Sequence, residues 1–300
     1  MFILATTKKT GLKLSKIDDD VWLYTISSKR KLISLNFKEI WRYRDLLVLF
    51  VKRDIVTVYK QTILGPLWYL IQPLFTALTF TLIFNKVANI ETGTVPPFLF
   101  NLAGVSIWNY FNTCLTSTSD TFTSNAAIFG KVYFPRIIVP LSIILSNLMK
   151  FGIQLLIFIA FYIYYYMNGA AIHINNSILL FPFIVMLMGL LGLGSGMIIS
   201  SMVTKYRDLK FLVGFGVQLL MYVSAVMYPL ALMREKLPEI AWIVEYNPLA
   251  YIIETTRYML LGTGTFSWFG ILYTVGVTFV ILFFGIIIFN RTEKIFIDTV

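Results

Sequence analysis

The chain has 300 residues, of which 58% are hydrophobic and 13% charged, and its formal net charge is +10. A soluble domain carries roughly 25% charged residues, so this composition excludes an ordinary soluble enzyme. A single cysteine, Cys114, excludes an intrachain disulfide, and the single histidine, His173, leaves no Cys/His cluster for a metal. Uncharged apolar stretches run over residues 61–85, 92–119, 151–204, 211–233 and 258–290. A helix needs about 20 residues to cross hydrocarbon, and only helices or closed barrels satisfy the backbone there. Period-2 alternation is absent, so the expected class is an all-α polytopic membrane protein. The basic residues sit between apolar segments, where topology places them, and no nucleic-acid partner is expected.

Residues 1–37 read as a cytoplasmic N-terminal extension, punctuated by Asp18-Asp19-Asp20 and Lys29-Arg30-Lys31, with no cleavable signal and no catalytic signature. Residues 38–300 read as one membrane domain. It opens on an amphipathic interface helix over 38–61. At about 100° per residue, Lys38, Glu39, Arg42, Asp45, Lys52, Arg53 and Lys60 fall within an arc of roughly 140°, while Ile40, Leu47, Val51 and Val58 lie off it. Such a helix lies along a membrane surface. Its cations either anchor it to anionic headgroups or meet an anionic substrate.

The spacing predicts six spans, over about 63–84, 98–118, 137–167, 178–203, 211–230 and 267–289. Gly65-Pro66 starts the first, and Pro73 is expected to kink it. Between spans two and three, residues 125–136 are too short and polar to cross and form a short cytoplasmic helix ended by Pro135. Lys150 falls near the middle of span three, where a charge faces the bundle interior. It either pairs with a carboxylate such as Asp120 or lines a polar path. Tyr162, Tyr164, Tyr165 and Tyr166 then form an outer aromatic belt. Gly189, Gly192, Gly194 and Gly196 in span four allow close helix packing. His173 sits alone in an outer loop.

Between spans five and six, residues 231–264 are broken at Asn247-Pro248, and each half is too short to cross. Counting charge decides the topology. With the N-terminus inside, 20 of the 25 basic residues are cytoplasmic, three are outside, and Lys150 and Arg257 lie within or beside the membrane. A full crossing by residues 240–262 would turn the basic tail outward, so this stretch is expected to dip in and return as a re-entrant hairpin. Glu254 and Arg257, at i,i+3, are placed to pair there.

These pieces, in this order, resemble a known family. The surface helix RDLLVLFVKRDIVTVYKQTILGPLWYLIQPL is similar to the start of type-2 ABC exporter permeases that move lipid-linked polysaccharides such as O-antigen and teichoic acid. Val132-Tyr-Phe-Pro-Arg136, Tyr206-Arg207-Asp208, Tyr228-Pro229-Leu230 and Glu245-Tyr-Asn-Pro-Leu249 agree with the same pattern. The resemblance covers about residues 38–300.

It implies a permease in the bacterial cytoplasmic (inner) membrane, with both termini cytoplasmic, working as a homodimer with two separate ATPase subunits. No Walker A pattern occurs here, so no cofactor is expected in this chain; ATP and Mg would be bound by the partner. The resemblance makes residues 125–135 a coupling helix, with Asn125, Phe129, Lys131, Tyr133, Phe134 and Pro135 at the ATPase contact. It makes Lys52, Arg53 and Lys60 contacts for the headgroup of a polyprenyl-pyrophosphate-linked glycan. Trp68, Tyr69, Phe100, Trp108, Tyr110 and Lys150 would line the translocation path, and Asn247, Pro248, Glu254 and Arg257 the re-entrant hairpin. Two other readings are a permease for a drug or another lipid, and a membrane-embedded glycan or lipid enzyme. The enzyme needs clustered carboxylates or histidines at a membrane face, and Asp18-Asp19-Asp20 is the only acidic cluster.

Overall fold

The interface segment forms two pieces, α1 (Phe37–Arg42) and α2 (Arg44–Gln61), separated at Tyr43. The computed structural model describes residues 37–61, 65–132 and 134–299. The N-terminal extension up to residue 36, residues 62–64 and Tyr133 lie outside the described residues. Tyr43, Leu46, Leu47 and Phe50, at helical spacing, pack α2 onto Phe122, Phe129, Phe134, Ile138 and Phe289 of the bundle. That face is rotated from the one expected from Ile40, Leu47, Val51 and Val58. It turns Arg53 and Asp54 partly inward and leaves Trp41, Val48 and Leu49 exposed.

Every further regular element is helical too, and no strand occurs among the described residues. A 3-10 turn at Gly65–Leu67, where Gly65 takes φ +51°, leads into α3 (Trp68–Phe80). That helix carries Pro73 buried in its interior and continues as a π-helix over Thr81–Val87. Then follow α4 (Pro97–Ser119), α5 (Thr121–Phe129), α6 (Ile138–Met167) and α7 (Phe181–Lys205), the last preceded by a 3-10 turn. The chain closes with α8 (Leu209–Val223), α9 (Leu230–Lys236), α10 (Pro238–Glu245), α11 (Pro248–Leu261) and α12 (Trp268–Thr299).

Four helical stretches are long and apolar enough to cross a membrane: Trp68–Val87, Ile138–Met167, Asn176–Lys205 and Trp268–Lys294. The other two expected spans differ for separate reasons. With 23 residues, α4 is long enough but polar. With 15 residues, α8 is apolar but only about 22 Å long. It stops at Val223 rather than residue 230 because the chain turns at Ala225 (φ +52°). Side chains from the hairpin take up the carbonyls that the helix end frees.

At the centre, α4 packs against α3, α6, α7 and α11, and α7 also packs against α12. Gly189, Gly192 and Gly196 lie along one face of α7, against Tyr110, Cys114 and Thr118 of α4. Gly194 points the other way, against Ile281 and Leu282 of α12, where Gly285 approaches it in turn. The glycines expected to permit close packing therefore serve two seams, bringing two backbones against α7.

Candidate functional site

At the end of the bundle that carries α2 and α5, aromatic packing fixes both short helices. Phe50 meets Phe134 at 5.6 Å, Phe134 meets Phe129 at 5.7 Å, and Phe122 stacks on Phe289 at 4.6 Å. The short helix begins at Thr121 and ends at Phe129, before Pro135, so the expected range of 125–135 is corrected. Its carbonyls fold into a turn at Gly130 and Lys131. Asn125, Phe129 and Phe134 are buried, and Pro135 is half-buried. The exposed residues of this segment are Thr123, Ser124 and Ala127 on the helix and Gly130, Lys131 and Val132 in the turn. Arg136 closes the turn, donating from Nη1 to the Glu293 carbonyl at 3.2 Å and lying 4.9 Å from the Phe129 ring centre. Burial pulls its pKa below the usual guanidinium value, and Glu293 opposes that shift.

The three proposed headgroup cations are not equivalent. Lys52 and Lys60 are exposed. Arg53 is half-buried, donating to Asp54 Oδ1 from Nε at 3.0 Å and from Nη2 at 2.8 Å, with a longer bond from Nη1 to Asn125 Oδ1 at 3.4 Å. Lys150 does not pair with Asp120. It donates to Asn147 Oδ1 at 2.9 Å and lies 5.2 Å from the Tyr69 ring centre, while Asp120 accepts from Lys210 at 2.8 Å. Asp120 follows the last residue of α4 and Lys210 lies in the first turn of α8, so the pair joins two helix ends.

The aromatic path residues also divide. Trp68 is exposed and Tyr69 half-buried, whereas Phe100, Trp108 and Tyr110 are buried in the helical core. Tyr110 packs 5.2 Å from Phe151 and against Gly189, and Phe100 lies beneath the Arg257 guanidinium at 3.7 Å. Within this chain these three serve packing.

The hairpin pair forms as expected and does more than expected. Arg257 Nη1 lies 3.8 Å from Glu254 Oε1, and both side chains are buried. Arg257 also donates to the carbonyls of Ala225, at 2.8 Å, of Tyr228, at 3.3 Å, and of Val226. Glu254 accepts from the Leu230 amide at 2.8 Å. Asn247 caps α11 by accepting from Leu249 N and donates to Val223 O and Ser224 Oγ. The charges are thus paired and hydrogen-bonded, as buried charges must be. Gly104 of α4 leaves the room, since a Cβ there would meet Arg257 Nη2 and the Val226 carbonyl.

One feature of α4 escaped the sequence reading. Asn109, Asn112, Thr113, Thr116 and Asp120 are spaced as one helix face and are half-buried in an otherwise buried helix. Thr113 and Thr116 donate back to their own helix, but the Asn109 and Asn112 amides make no hydrogen bond within the described residues. The i, i+3, i+4, i+7 pattern of polar residues in an apolar span was the signal available.

Together, a surface helix, a short helix and turn packed beneath it, long apolar helices and a buried ion pair beside the break at Asn247-Pro248 define an integral membrane protein of the transporter class. The chain belongs to the ABC-2 type transporter family, whose sequence profile matches residues 45–261. A Klebsiella pneumoniae protein named "O-antigen export system permease protein RfbA" is 29% identical over 256 residues, covering 85% of this chain and 94% of its own length. A Myxococcus xanthus protein of the same name is 25% identical over 199 residues, covering 66% of this chain and 74% of its own. The chain is therefore a transport subunit, a permease, of a family that works with an ATPase subunit.

Proposed function

We propose that the chain is the permease of an ATP-driven exporter that moves a lipid-linked polysaccharide, an O-antigen or similar glycan, across the bacterial inner membrane. The observation that carries this reading is the match to O-antigen export permeases across nearly their whole length. Two copies would work with two ATPase subunits that bind ATP and Mg, and both termini would lie in the cytoplasm. The turn at Gly130, Lys131 and Val132 is the ATPase contact. The exposed Lys52 and Lys60 meet the pyrophosphate of the polyprenyl carrier, as cations suit phosphate oxygens. Enclosure supports α4 as a crossing helix, because its polar groups are shielded by its neighbours. With α8 and the turn after it, the count becomes six. The α4 stripe, with Trp68 and Tyr69, lines the glycan path, where the Asn109 and Asn112 amides find sugar hydroxyls.

The test is reconstitution with the partner ATPase in proteoliposomes, supplying polyprenyl-pyrophosphate-linked glycan and measuring glycan delivered across the bilayer. Delivery should require ATP. Delivery without ATP, or hydrolysis by this chain alone, overturns the reading. Replacing Lys52 and Lys60 together by Gln should lower delivery about tenfold with membrane abundance unchanged, the loss expected if each charge-assisted bond is worth about 1 kcal/mol or less. An equal fall in both makes the two lysines anchors only.

A further inference from the structure

Arg53, one of the three proposed headgroup cations, turns partly toward the protein, and the network it starts connects four elements. Asn125 of α5 accepts from it at 3.4 Å. Asp54, its neighbour on α2, accepts from it at 2.8 Å and also accepts from Ser146 Oγ of α6 at 3.4 Å. One turn further along the same face of α6, Lys150 lies over Tyr69 of α3, 5.2 Å from its ring centre. Asp54 therefore stands between the Arg53 guanidinium and the face of α6 that carries Ser146 and, one turn on, Lys150. Aromatic contact reinforces the outer end, because Phe50 of α2 packs on Phe134 just beyond α5 and Arg53 lies 4.8 Å from the Phe50 ring centre.

We propose that Asn125, Arg53, Asp54 and Lys150 form a transmission line carrying displacement of the ATPase-docking segment to the first membrane helix. The proposal rests on the reading that the turn after α5 meets the ATPase. Arg53 and Asp54 are positioning residues, touching neither nucleotide nor cargo. The line has two arrangements. In the one observed, Asp54 is held by Arg53, and Arg53 holds α5. In the other, movement of α5 draws Arg53 away and Asp54 turns to Lys150, which loosens from Tyr69 and frees α3. The long bonds to Asn125 and from Ser146, against 2.8–3.0 Å between Arg53 and Asp54, put the weak joints at the element boundaries. Partial burial limits screening by salt, and a switch between discrete pairings is how small shifts become helix movements.

The test uses the full permease with its ATPase in nanodiscs. Cys114 is replaced by Ala, and Leu67→Cys, exposed at the start of α3, is labelled with a maleimide, with and without ATPγS. Nucleotide should change the labelling rate several-fold in this parent. Asp54→Asn should lose most of that change while the ATPase still copurifies and hydrolyses ATP, and Ser146→Ala should lose part of it. Adding Asn125→Ala to Asp54→Asn should cause no further loss, since links in one line are not additive. A parent without a nucleotide response, a full response in Asp54→Asn, or an additive loss in the double variant overturns the proposal. A parent that fails to retain the ATPase refutes the docking reading instead, and the relay falls with it.

Discussion

Gly192→Ala is the sharpest test of how the bundle closes. A Cβ on Gly192 would lie 2.8 Å from Cys114 Cβ and 3.1 Å from the Phe111 carbonyl oxygen. Carbon atoms rest at about 3.5–4.0 Å, so α7 and α4 must part by a large fraction of an ångström or Cys114 must shift. The carbonyl belongs to the helix backbone and has no rotamer to adopt. Overpacking of this kind costs about 1–3 kcal/mol, and the upper half of that range applies because backbone is involved. At about 2 kcal/mol the folded-to-unfolded ratio falls roughly thirtyfold. Thermal unfolding in detergent, followed by size-exclusion fluorescence, reads the change. Gly214→Ala on α8 is the control, because nothing lies within 4 Å of its added Cβ. Cys114→Gly combined with Gly192→Ala should recover part of the loss by removing the nearest clashing atom. If Gly192→Ala unfolds at the temperature of the unsubstituted protein, or Gly214→Ala loses as much, close approach along this seam is not what holds α7 on α4.

Arg257→Met removes one partner of a buried ion pair and the donors to three carbonyls. It should cost about 3–5 kcal/mol and show as loss of protein from the membrane fraction, and Glu254→Gln, which keeps an acceptor for Leu230 N but leaves the buried Arg257 without its carboxylate, should destabilise in the same direction. Phe134→Ala should destabilise by about 3–5 kcal/mol, as truncation of a buried aromatic does, with any ATPase defect following from that. Lys131→Glu, at an exposed position, should leave thermal stability unchanged and weaken ATPase copurification; a stable Phe134→Ala with a selective coupling defect would reverse the two assignments.

The long apolar helices were legible because hydrophobicity and length alone specify them. Ile138–Met167 lies within one residue of the expected span at its start and coincides with it at its end. The broken hairpin was legible for a different reason. Asn247-Pro248 is a helix start by its own chemistry, and Glu254 and Arg257 have the i,i+3 spacing of a pair. What failed were statements about which distant element a side chain would meet. Periodicity places Phe50, Arg53 and Asp54 on a helix, but only the fold rotates that helix toward Phe134 and Asn125. The end of α8 failed for the same reason, because its carbonyls are capped by residues 24 and 32 positions further along the chain. The Lys150–Asp120 pairing had the right chemistry, yet the Asp120 carboxylate pairs with Lys210 through Oδ2.

The polar groups of α4 carry the functional argument further than its aromatic groups do. Asn101 is fully buried and both donors of its amide nitrogen are used, to Thr81 Oγ1 at 3.1 Å and Asn85 Oδ1 at 2.8 Å of the π-helical segment. It holds two helices together. Phe100, Trp108 and Tyr110 are likewise committed to core contacts. Asn109 and Asn112 differ, because their amides are half-exposed and form no bond within the described residues. In hydrocarbon an unsatisfied amide costs several kcal/mol, so such a pair cannot face lipid tails at equilibrium. It must face water, a second copy of the chain, or cargo. A water-filled path for a hydroxyl-rich polymer meets that requirement, and so does an interface with a second copy. The same physical constraint that hides Arg257 among carbonyls thus keeps this stripe of α4 away from lipid tails.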